Sequence, residues 1–164
     1  MDERLAQRQR KHGGRRGVEN GAWHEYNGGL ILSLRYNAIV AWDVEVTDEF
    51  KAWWNGLTEA ERISVERSVL LLEERGPHLP FPYSSGVIGP RHSAMRELRV
   101  QHQGRPYRVL YIFDPRRVAI LLLGGDKTGD DRWYERSVPL ADRLYDNYLA
   151  EIEEEDDAKD DKVQ

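Results

Sequence analysis

The residues that could do chemistry in this 164-residue chain are concentrated in one basic stretch, residues 91–127. That stretch carries eight Lys or Arg against three Asp or Glu, whereas residues 40–90 carry four against nine. Guanidinium and ammonium groups bind phosphates through charge-assisted hydrogen bonds. The pattern therefore predicts a polarised fold whose positive part is the natural place for an anionic substrate.

Arg108 is the most informative residue of this stretch. Residues 107–113 read as a strand, and alternation of side chains puts Arg108 on the same face as Leu110 and Ile112. A charge on such an apolar face needs a partner. The sequence leaves two partners open: a buried carboxylate, Glu97 or an aspartate, or the phosphate of a ligand.

The preceding strand adds two further arginines, Arg96 and Arg99. They are three residues apart, so they point to opposite faces of that strand. At most one of them can therefore share a site with Arg108.

Several classes of site are excluded. The chain has no cysteine, which rules out disulfides, thiolate metal sites and a cysteine nucleophile. The glycine-rich residues 124–129 lack the spacing and the following helix of a phosphate-binding loop. The five histidines are not at the spacing of metal ligands, and no metal site or cofactor is predicted.

The elements around these residues predict an α+β fold. Thr47 caps a first helix, and Thr58 with Glu61 forms a capping box for a second helix that stops at Gly76. Tight turns join the strands of the basic stretch, so we expect an antiparallel sheet with an N-terminal helical hairpin and a C-terminal covering helix. The predicted strands are residues 41–46, 95–100, 107–114 and 118–123, the long segment 77–93 is a loop, and the last helix opens at Ser137 and Pro139.

Charge and hydropathy divide the chain into three parts. Residues 1–39 carry a net charge of +3 and read as a disordered basic extension, and residues 151–164 carry −6 and read as a disordered acidic tail. Residues 40–150 form the predicted domain. No apolar run approaches the length of a membrane span and no secretory signal is visible, so the expected location is cytoplasmic.

The ordered motifs of the basic stretch resemble the RelE/ParE toxin superfamily, and most closely its HigB-like, phage-derived branch. The resemblance covers roughly residues 41–150. It is carried by Met95-x-Glu-Leu-Arg99, Tyr107-Arg-Val-Leu-Tyr111, Gly125-Asp-Lys-Thr128 and Trp133-Tyr134.

The resemblance implies a type II toxin–antitoxin toxin that acts as a metal-independent endoribonuclease and arrests growth. Members of the RelE and HigB groups cut mRNA in the ribosomal A site by attack of the ribose 2′-OH on the adjacent phosphodiester. The implied partners are the ribosome, mRNA and a HigA-like helix-turn-helix antitoxin. Two alternatives stay open: a ParE-like toxin that inhibits DNA gyrase by binding it, and an inactive relative that only binds its antitoxin.

The resemblance also implies roles for single residues. Arg108 matches the arginine that contacts the scissile phosphate, and His92 is our first choice for the general base, with Glu97 and Asp126 as alternatives. The remaining implied catalytic residues are Arg99, Lys127 and Tyr134, and the implied RNA-binding residues are Arg91, Arg96, Arg105 and Arg116.

Overall fold

The computed structural model describes residues 41–160. The basic extension predicted for residues 1–39 and the last four residues of the acidic tail lie outside that range. The elements, in chain order, are β1 (Asp43–Val46), α1 (Asp48–Asn55), α2 (Glu59–Arg75), a 3-10 turn (Gly76–His78), β2 (Ser84–Gly86), β3 (Arg96–His102), β4 (Arg105–Asp114), β5 (Val118–Asp126) and α3 (Trp133–Asp160). None of the helices in this range has the length and apolarity that a membrane crossing requires.

Both N-terminal helices begin where their capping residues predict. The Thr47 hydroxyl accepts a hydrogen bond from the N–H of Phe50 at 3.1 Å, which satisfies a free donor at the start of α1. Thr58 and Glu61 form the reciprocal capping box of α2: each side chain accepts a hydrogen bond from the other residue's N–H. The helical hairpin that these signals predict is confirmed.

The five strands form one mixed sheet in the order β1-β5-β4-β3-β2. Strands β2 to β5 are antiparallel neighbours, as the tight turns predict. The α+β class is confirmed, but the antiparallel prediction is wrong for β1, which pairs parallel with β5 from Asp43–Val118 to Val46–Leu121. No hairpin fixes the direction of β1, because its neighbour lies about seventy residues further along the chain.

Helices cover both faces of the sheet. On one face, α3 packs its apolar side chains, including Val138 and Leu144, on the buried Leu110, Ile112 and residues of β5. On the other face, the Trp53 ring of α1 meets Tyr107 of β4 edge to face. The covering C-terminal helix is confirmed, and it lies on a face of the sheet.

Two neighbouring glycines of β5 let the helices approach closely. A Cβ on Gly124 would lie 2.2 Å from the Trp53 ring, and a Cβ on Gly125 would lie 2.3 Å from Nε1 of Trp133. The sequence predicts that these glycines end the strand, yet both are paired within β5, opposite Val109 and Arg108. Because these glycines have no side chains, one tryptophan packs directly on each of them, Trp53 on one face of the sheet and Trp133 on the other.

The last helix is longer than predicted at both ends. It begins at Trp133 and contains Pro139 internally, and it continues to Asp160. Residues 151–160, which the sequence assigns to the acidic tail, are thus helical in the structure. Ile152 is partly buried against the core cluster, and the following glutamates are good helix formers, so the helix continues. The limits proposed for the domain, 40–150, stay a prediction.

Candidate active site

The buried carboxylate of Glu97 is the centre of the candidate site. Strand alternation places Glu97 and Arg99 of β3 on one face, and the register sets Arg99 directly opposite Arg108 of β4. Glu97 is only 4% exposed and Arg108 only 5%. Two opposite charges are thus brought together inside the protein, on the sheet face that α3 covers.

Both oxygens of the Glu97 carboxylate are used. Oε1 accepts hydrogen bonds from Arg99 at 2.9 Å and from the Ser85 hydroxyl at 2.7 Å. Oε2 accepts one from the Tyr134 hydroxyl at 2.5 Å and lies 3.7 Å from Nε of Arg108. A buried charge with this many donors is compensated, because each hydrogen bond replaces a lost contact with water.

Arg108 is held on several sides but keeps an unused donor. One terminal N–H of its guanidinium donates to the carbonyl of Tyr107 at 2.9 Å. Its Nε has no hydrogen-bond partner among residues 41–160. In the free protein, the partner of the Arg108 charge is therefore the Glu97 carboxylate. The unsatisfied Nε–H leaves capacity for a further acceptor.

Tyr134 borders the same carboxylate, and Lys127 lies beside the Tyr134 ring. Burial raises the pKa of the Tyr134 hydroxyl, and its hydrogen bond to Glu97 raises that pKa further, while Arg108 opposes the shift. The phenol is therefore a neutral donor near pH 7. The Lys127 ammonium lies 5.4 Å from the centre of the Tyr134 ring. We call Glu97, Arg99, Arg108, Lys127 and Tyr134 the Glu97 cluster.

The first turn of α3 positions Tyr134. Its neighbour Trp133 is buried against Gly125, and the two aromatic rings meet edge to face at 5.1 Å. Gly125 in turn pairs with Arg108 across the sheet. The packing of Trp133 against Gly125 thus brings the Tyr134 hydroxyl to Glu97.

Arg91 and His92 are placed elsewhere, on the middle of α3. Their backbone N–H groups donate to the carboxylate of Asp142 at 2.8 and 3.0 Å. Their side chains bind Asp146, with His92 Nε2 at 2.7 Å, and these contacts lower the pKa of Asp146 to about 2. Asp146 follows Tyr134 by twelve residues, or about 18 Å of helix. The structure therefore does not bring His92 into the Glu97 cluster.

The other predicted RNA-binding arginines each have an acceptor within the protein. Arg96 lies on the opposite face of β3 and donates to Ser84 at 3.1 Å. Arg105 binds Glu61 at 2.8 Å and Asp126 at 3.2 Å. Arg116 binds Asp114 and the Tyr148 hydroxyl at the far end of β4, each at 2.6 Å. Their RNA-binding roles stay predictions.

Sequence reasoning missed one contributor to the site, Ser85. It lies in β2, a three-residue strand inside the segment predicted as a loop, and pairs with Glu97. A strand of three residues shows no periodicity that a sequence pattern could detect. Within residues 41–160, no three His, Asp or Glu side chains are grouped so that they could hold a metal ion.

Comparisons with known proteins place the chain in a family. The profile of phage-derived Gp49-like proteins matches residues 52–146, more than half of the chain. A Mycobacterium tuberculosis protein named "Putative toxin HigB2" is 39% identical over 117 residues, which are 70% of this chain and 58% of that protein. Another from the same organism, "Putative toxin HigB3", is 41% identical over 103 residues, which are 62% of this chain and 89% of that protein.

Among solved structures, a mutant of the Escherichia coli toxin RelE in the free state aligns with a TM-score of 0.44 at 14% identity, over 58% of this chain and 93% of that one. The chain spans 58% of the length of the HigB2 relative. The family match over more than half of the chain, with the HigB3 relative covered over 89% of its length, shows that the chain belongs to the phage-derived Gp49-like family, in the HigB-like branch that its motifs indicate.

Proposed function

We propose that the protein is the toxin of a type II toxin–antitoxin system and that it cuts mRNA on cytoplasmic ribosomes. Family membership supports the toxin assignment. The observation that carries the nuclease assignment is the Glu97 carboxylate, buried between Arg99 and Arg108 with a tyrosine hydroxyl on its second oxygen. A base, two cations and a proton-bearing hydroxyl at one point are what phosphodiester cleavage by a neighbouring 2′-OH requires.

The reaction assigns a task to each member of the cluster. The 2′ oxygen attacks the phosphorus, the bond from phosphorus to the 5′ oxygen breaks, and the products are a 2′,3′-cyclic phosphate and a 5′-hydroxyl. Glu97 takes the proton of the 2′-OH, and Arg99 and Arg108 stabilise the charge on the phosphorus oxygens. Tyr134 and Lys127 are the groups beside the carboxylate that carry a proton for the leaving oxygen.

Among the three bases considered from the sequence, the geometry favours Glu97. His92 is held to Asp146 on the middle of α3. Asp126 accepts hydrogen bonds from Arg105 and Thr128 beyond the end of the site. Only Glu97 contacts the two arginines that would hold the phosphate.

The test compares Glu97→Gln with His92→Gln. Both substitutions keep the size of the side chain, and both remove one candidate base. After induction in cells and in a translation extract with a defined mRNA, we expect Glu97→Gln to reduce the rate of cleavage by about 10²–10⁴-fold. His92→Gln is expected to cut within a few-fold of the unmodified chain, and circular dichroism checks that both variants are folded.

The opposite pattern, full cleavage by Glu97→Gln and none by folded His92→Gln, would return the base to His92. Growth arrest with intact mRNA and a DNA-damage response would instead favour inhibition of gyrase. Absence of any growth defect would favour an inactive relative that binds only its antitoxin.

A toxin of this type needs an antitoxin, and we propose a HigA-like helix-turn-helix protein encoded next to it. Such a partner would neutralise the toxin by covering the Glu97 cluster. Co-expression of the neighbouring reading frame is expected to restore growth, and the two proteins should purify together. Restored growth without a complex would contradict direct neutralisation.

A further inference from the structure

A groove runs along the outer edge of β3, beside the Glu97 cluster, and nothing described so far assigns it a role. Its volume is about 340 Å³. Its walls come from α2, from the loop before β2 and from β3, and its lining includes Ser64, Arg67, Leu71, Tyr83, Arg99 and Gln101. We call it the edge groove.

The lining combines aromatic, cationic and hydrogen-bonding groups. The Tyr83 ring is 47% exposed, and the neighbouring Phe81 ring, 70% exposed, lies 5.3 Å from the Arg99 guanidinium carbon. On the opposite wall, the Ser64 hydroxyl is fixed by a 2.7 Å hydrogen bond with Nδ1 of the buried His102. Aromatic platforms with arginines and side-chain amides or hydroxyls are how proteins hold unpaired nucleotides.

Arg99 connects the edge groove to the Glu97 cluster. Its guanidinium donates to Glu97 at 2.9 Å, and the same side chain lines the groove. An RNA strand whose scissile phosphate lay against Arg108 would therefore have its neighbouring nucleotide at the groove. The occupant of the groove and the reacting phosphate would share one arginine.

The alternative occupant, an extended peptide added to the sheet edge, is disfavoured by the pairing of β3. Strand β2 already covers residues 96–98, and the N–H of Arg99 donates to the Tyr83 carbonyl at 2.8 Å. Only residues 100–102 of that edge remain, which is short against a typical strand of about five to six residues. An unpaired base needs no such edge.

We propose that the edge groove binds the base of one single-stranded mRNA nucleotide next to the scissile phosphodiester. Tyr83 provides the stacking surface, Gln101 hydrogen-bonds the edge of the base, and Arg67 holds the flanking phosphate, while Arg99 lies between the base and the scissile phosphate. The proposal rests on the proposed nuclease function and adds to it the part of the site that selects where the mRNA is cut.

The experiment uses the full chain with ribosomes programmed by mRNA that contains 4-thiouridine, a photo-cross-linkable base. Cross-links are mapped to peptides by mass spectrometry, and cut positions in the same mRNA are mapped by primer extension. Tyr83→Ala and Arg67→Ala change the edge groove. Ile88→Ala, 96% exposed in the same loop region, and Arg75→Ala, exposed on the same helix, are the matched controls.

We expect cross-links at the peptide that contains Tyr83, reduced about tenfold in Arg67→Ala, as loss of a phosphate contact implies. We expect Tyr83→Ala to raise the KM for cleavage about tenfold and to redistribute the cut positions, because a stacking contact is lost. The two control variants should cross-link and cut as the unmodified chain does.

Three results would overturn the inference, and they differ in what they leave standing. Normal cleavage by both groove variants, with no cross-link in the groove, rejects the groove and keeps the nuclease. Normal cleavage combined with failure of the two groove variants to bind the antitoxin assigns the groove to that protein. Absence of cleavage and of cross-links anywhere on the unmodified chain rejects the nuclease function itself.

Discussion

At the residue scale, the two arginines of the Glu97 cluster are partly neutralised by its carboxylate. Arg99 and Arg108 both lie against Glu97, and neither is fully exposed. An incoming phosphate must compete with this carboxylate for the arginines, and this includes the buried Nε–H of Arg108, which makes no hydrogen bond but lies 3.7 Å from Oε2 of Glu97. The site is therefore assembled before the substrate arrives, but only part of its positive charge is accessible to a phosphate.

Replacement of Arg108 by lysine separates charge from geometry. Lysine keeps the positive charge but cannot donate to the Tyr107 carbonyl and face Glu97 with a planar group at once. We expect a loss of about 10²–10³-fold in the rate of mRNA cleavage, the size seen when one donor to a transition-state oxyanion is removed. Single-turnover cleavage on programmed ribosomes measures it.

The matched control is Arg117→Lys, which alters an exposed arginine in the turn after β4, whose guanidinium carbon lies 4.2 Å from the centre of the Trp42 ring. It should cut within a few-fold of the unmodified chain. Equal losses in the two variants would show that cleavage depends on overall charge and not on the position of Arg108.

At the element scale, the glycine pair of β5 controls how close a helix comes on each face. Alanine at either position must displace a tryptophan ring, because the new Cβ would lie 2.2 or 2.3 Å from it. The two substitutions differ only in which helix they displace. Gly124 faces α1, whereas Gly125 faces the first turn of α3, which carries Tyr134.

We expect Gly124→Ala and Gly125→Ala each to lower the free energy of unfolding by about 1–3 kcal/mol, the usual cost of overpacking. Cleavage should fall far more in Gly125→Ala, because displacement of Trp133 moves the Tyr134 hydroxyl away from Glu97. Urea denaturation and cleavage rates provide the two measurements. Gly86→Ala, where a Cβ meets nothing within 4 Å, is the control. Equal activity in both glycine variants would contradict the positioning role of Trp133.

Glu61 ties the start of α2 to β4 and makes stability depend on pH. A hydrogen bond from the Tyr107 hydroxyl, the N–H of Thr58 and Arg105 together lower its pKa from 4.5 to about 2. A carboxylate with a lowered folded pKa stabilises the fold fully above its unfolded pKa, and this contribution is lost as pH falls toward the folded value.

We therefore expect the urea midpoint to fall between about pH 4.5 and 2, and to fall less in Glu61→Gln, which cannot titrate. Glu59→Gln, in the same first turn of α2, should follow the unmodified chain. Parallel curves for the Glu61→Gln variant and the unmodified chain would show that other carboxylates dominate acid unfolding.

The elements that the sequence predicted are those with local signals. Thr47 and the Thr58–Glu61 capping box act on their own next turn, so their effect is visible in the sequence. The meaning of Gly124 and Gly125 was not visible, because it depends on tryptophans from two distant helices. The predicted start of α3 was wrong because no capping residue before Trp133 and Tyr134 marks it.

The residues of the site divide in the same way, into those that a local pattern reveals and those that depend on distant parts of the chain. Alternation along one strand was enough to single out Arg108 and to require a partner for it. The choice among possible partners depended on the register between β3 and β4, which sets Arg99 opposite Arg108 and Glu97 opposite Leu110. The register depends on the tertiary structure, so the sequence alone leaves Glu97 as one of several possible partners of Arg108.

At the scale of the whole molecule, the acidic charge of the C-terminal segment offsets the basic charge of residues 91–127. Residues 151–164 carry eight acidic against two basic residues, while the whole chain has a net charge of −5. Deletion of the segment changes the net charge to +1, since −6 is removed. Long-range attraction to the ribosome, a polyanion, should therefore increase.

We expect deletion of residues 151–164 to raise the association rate with ribosomes several-fold at low salt and to have little effect at about 1 M salt, where the Debye length is about 3 Å. Stopped-flow association at several salt concentrations measures this. Conversion of the acidic residues of the segment to Asn and Gln is the control that removes charge but keeps length. A salt-independent increase would indicate that the segment acts by its bulk.

The parallel pairing of β1 with β5 has a consequence for synthesis of the chain. The pairing brings Asp43 beside Val118, so the sheet is complete only after β5 has been translated. The site is completed later still, because Glu97 accepts a hydrogen bond from the hydroxyl of Tyr134, which is translated 37 residues after Glu97. At about 5–20 residues per second, that interval is about 2–7 seconds. Under the proposed nuclease function, the ribosome that makes this protein would carry an incomplete catalytic centre until the first turn of α3 had been translated.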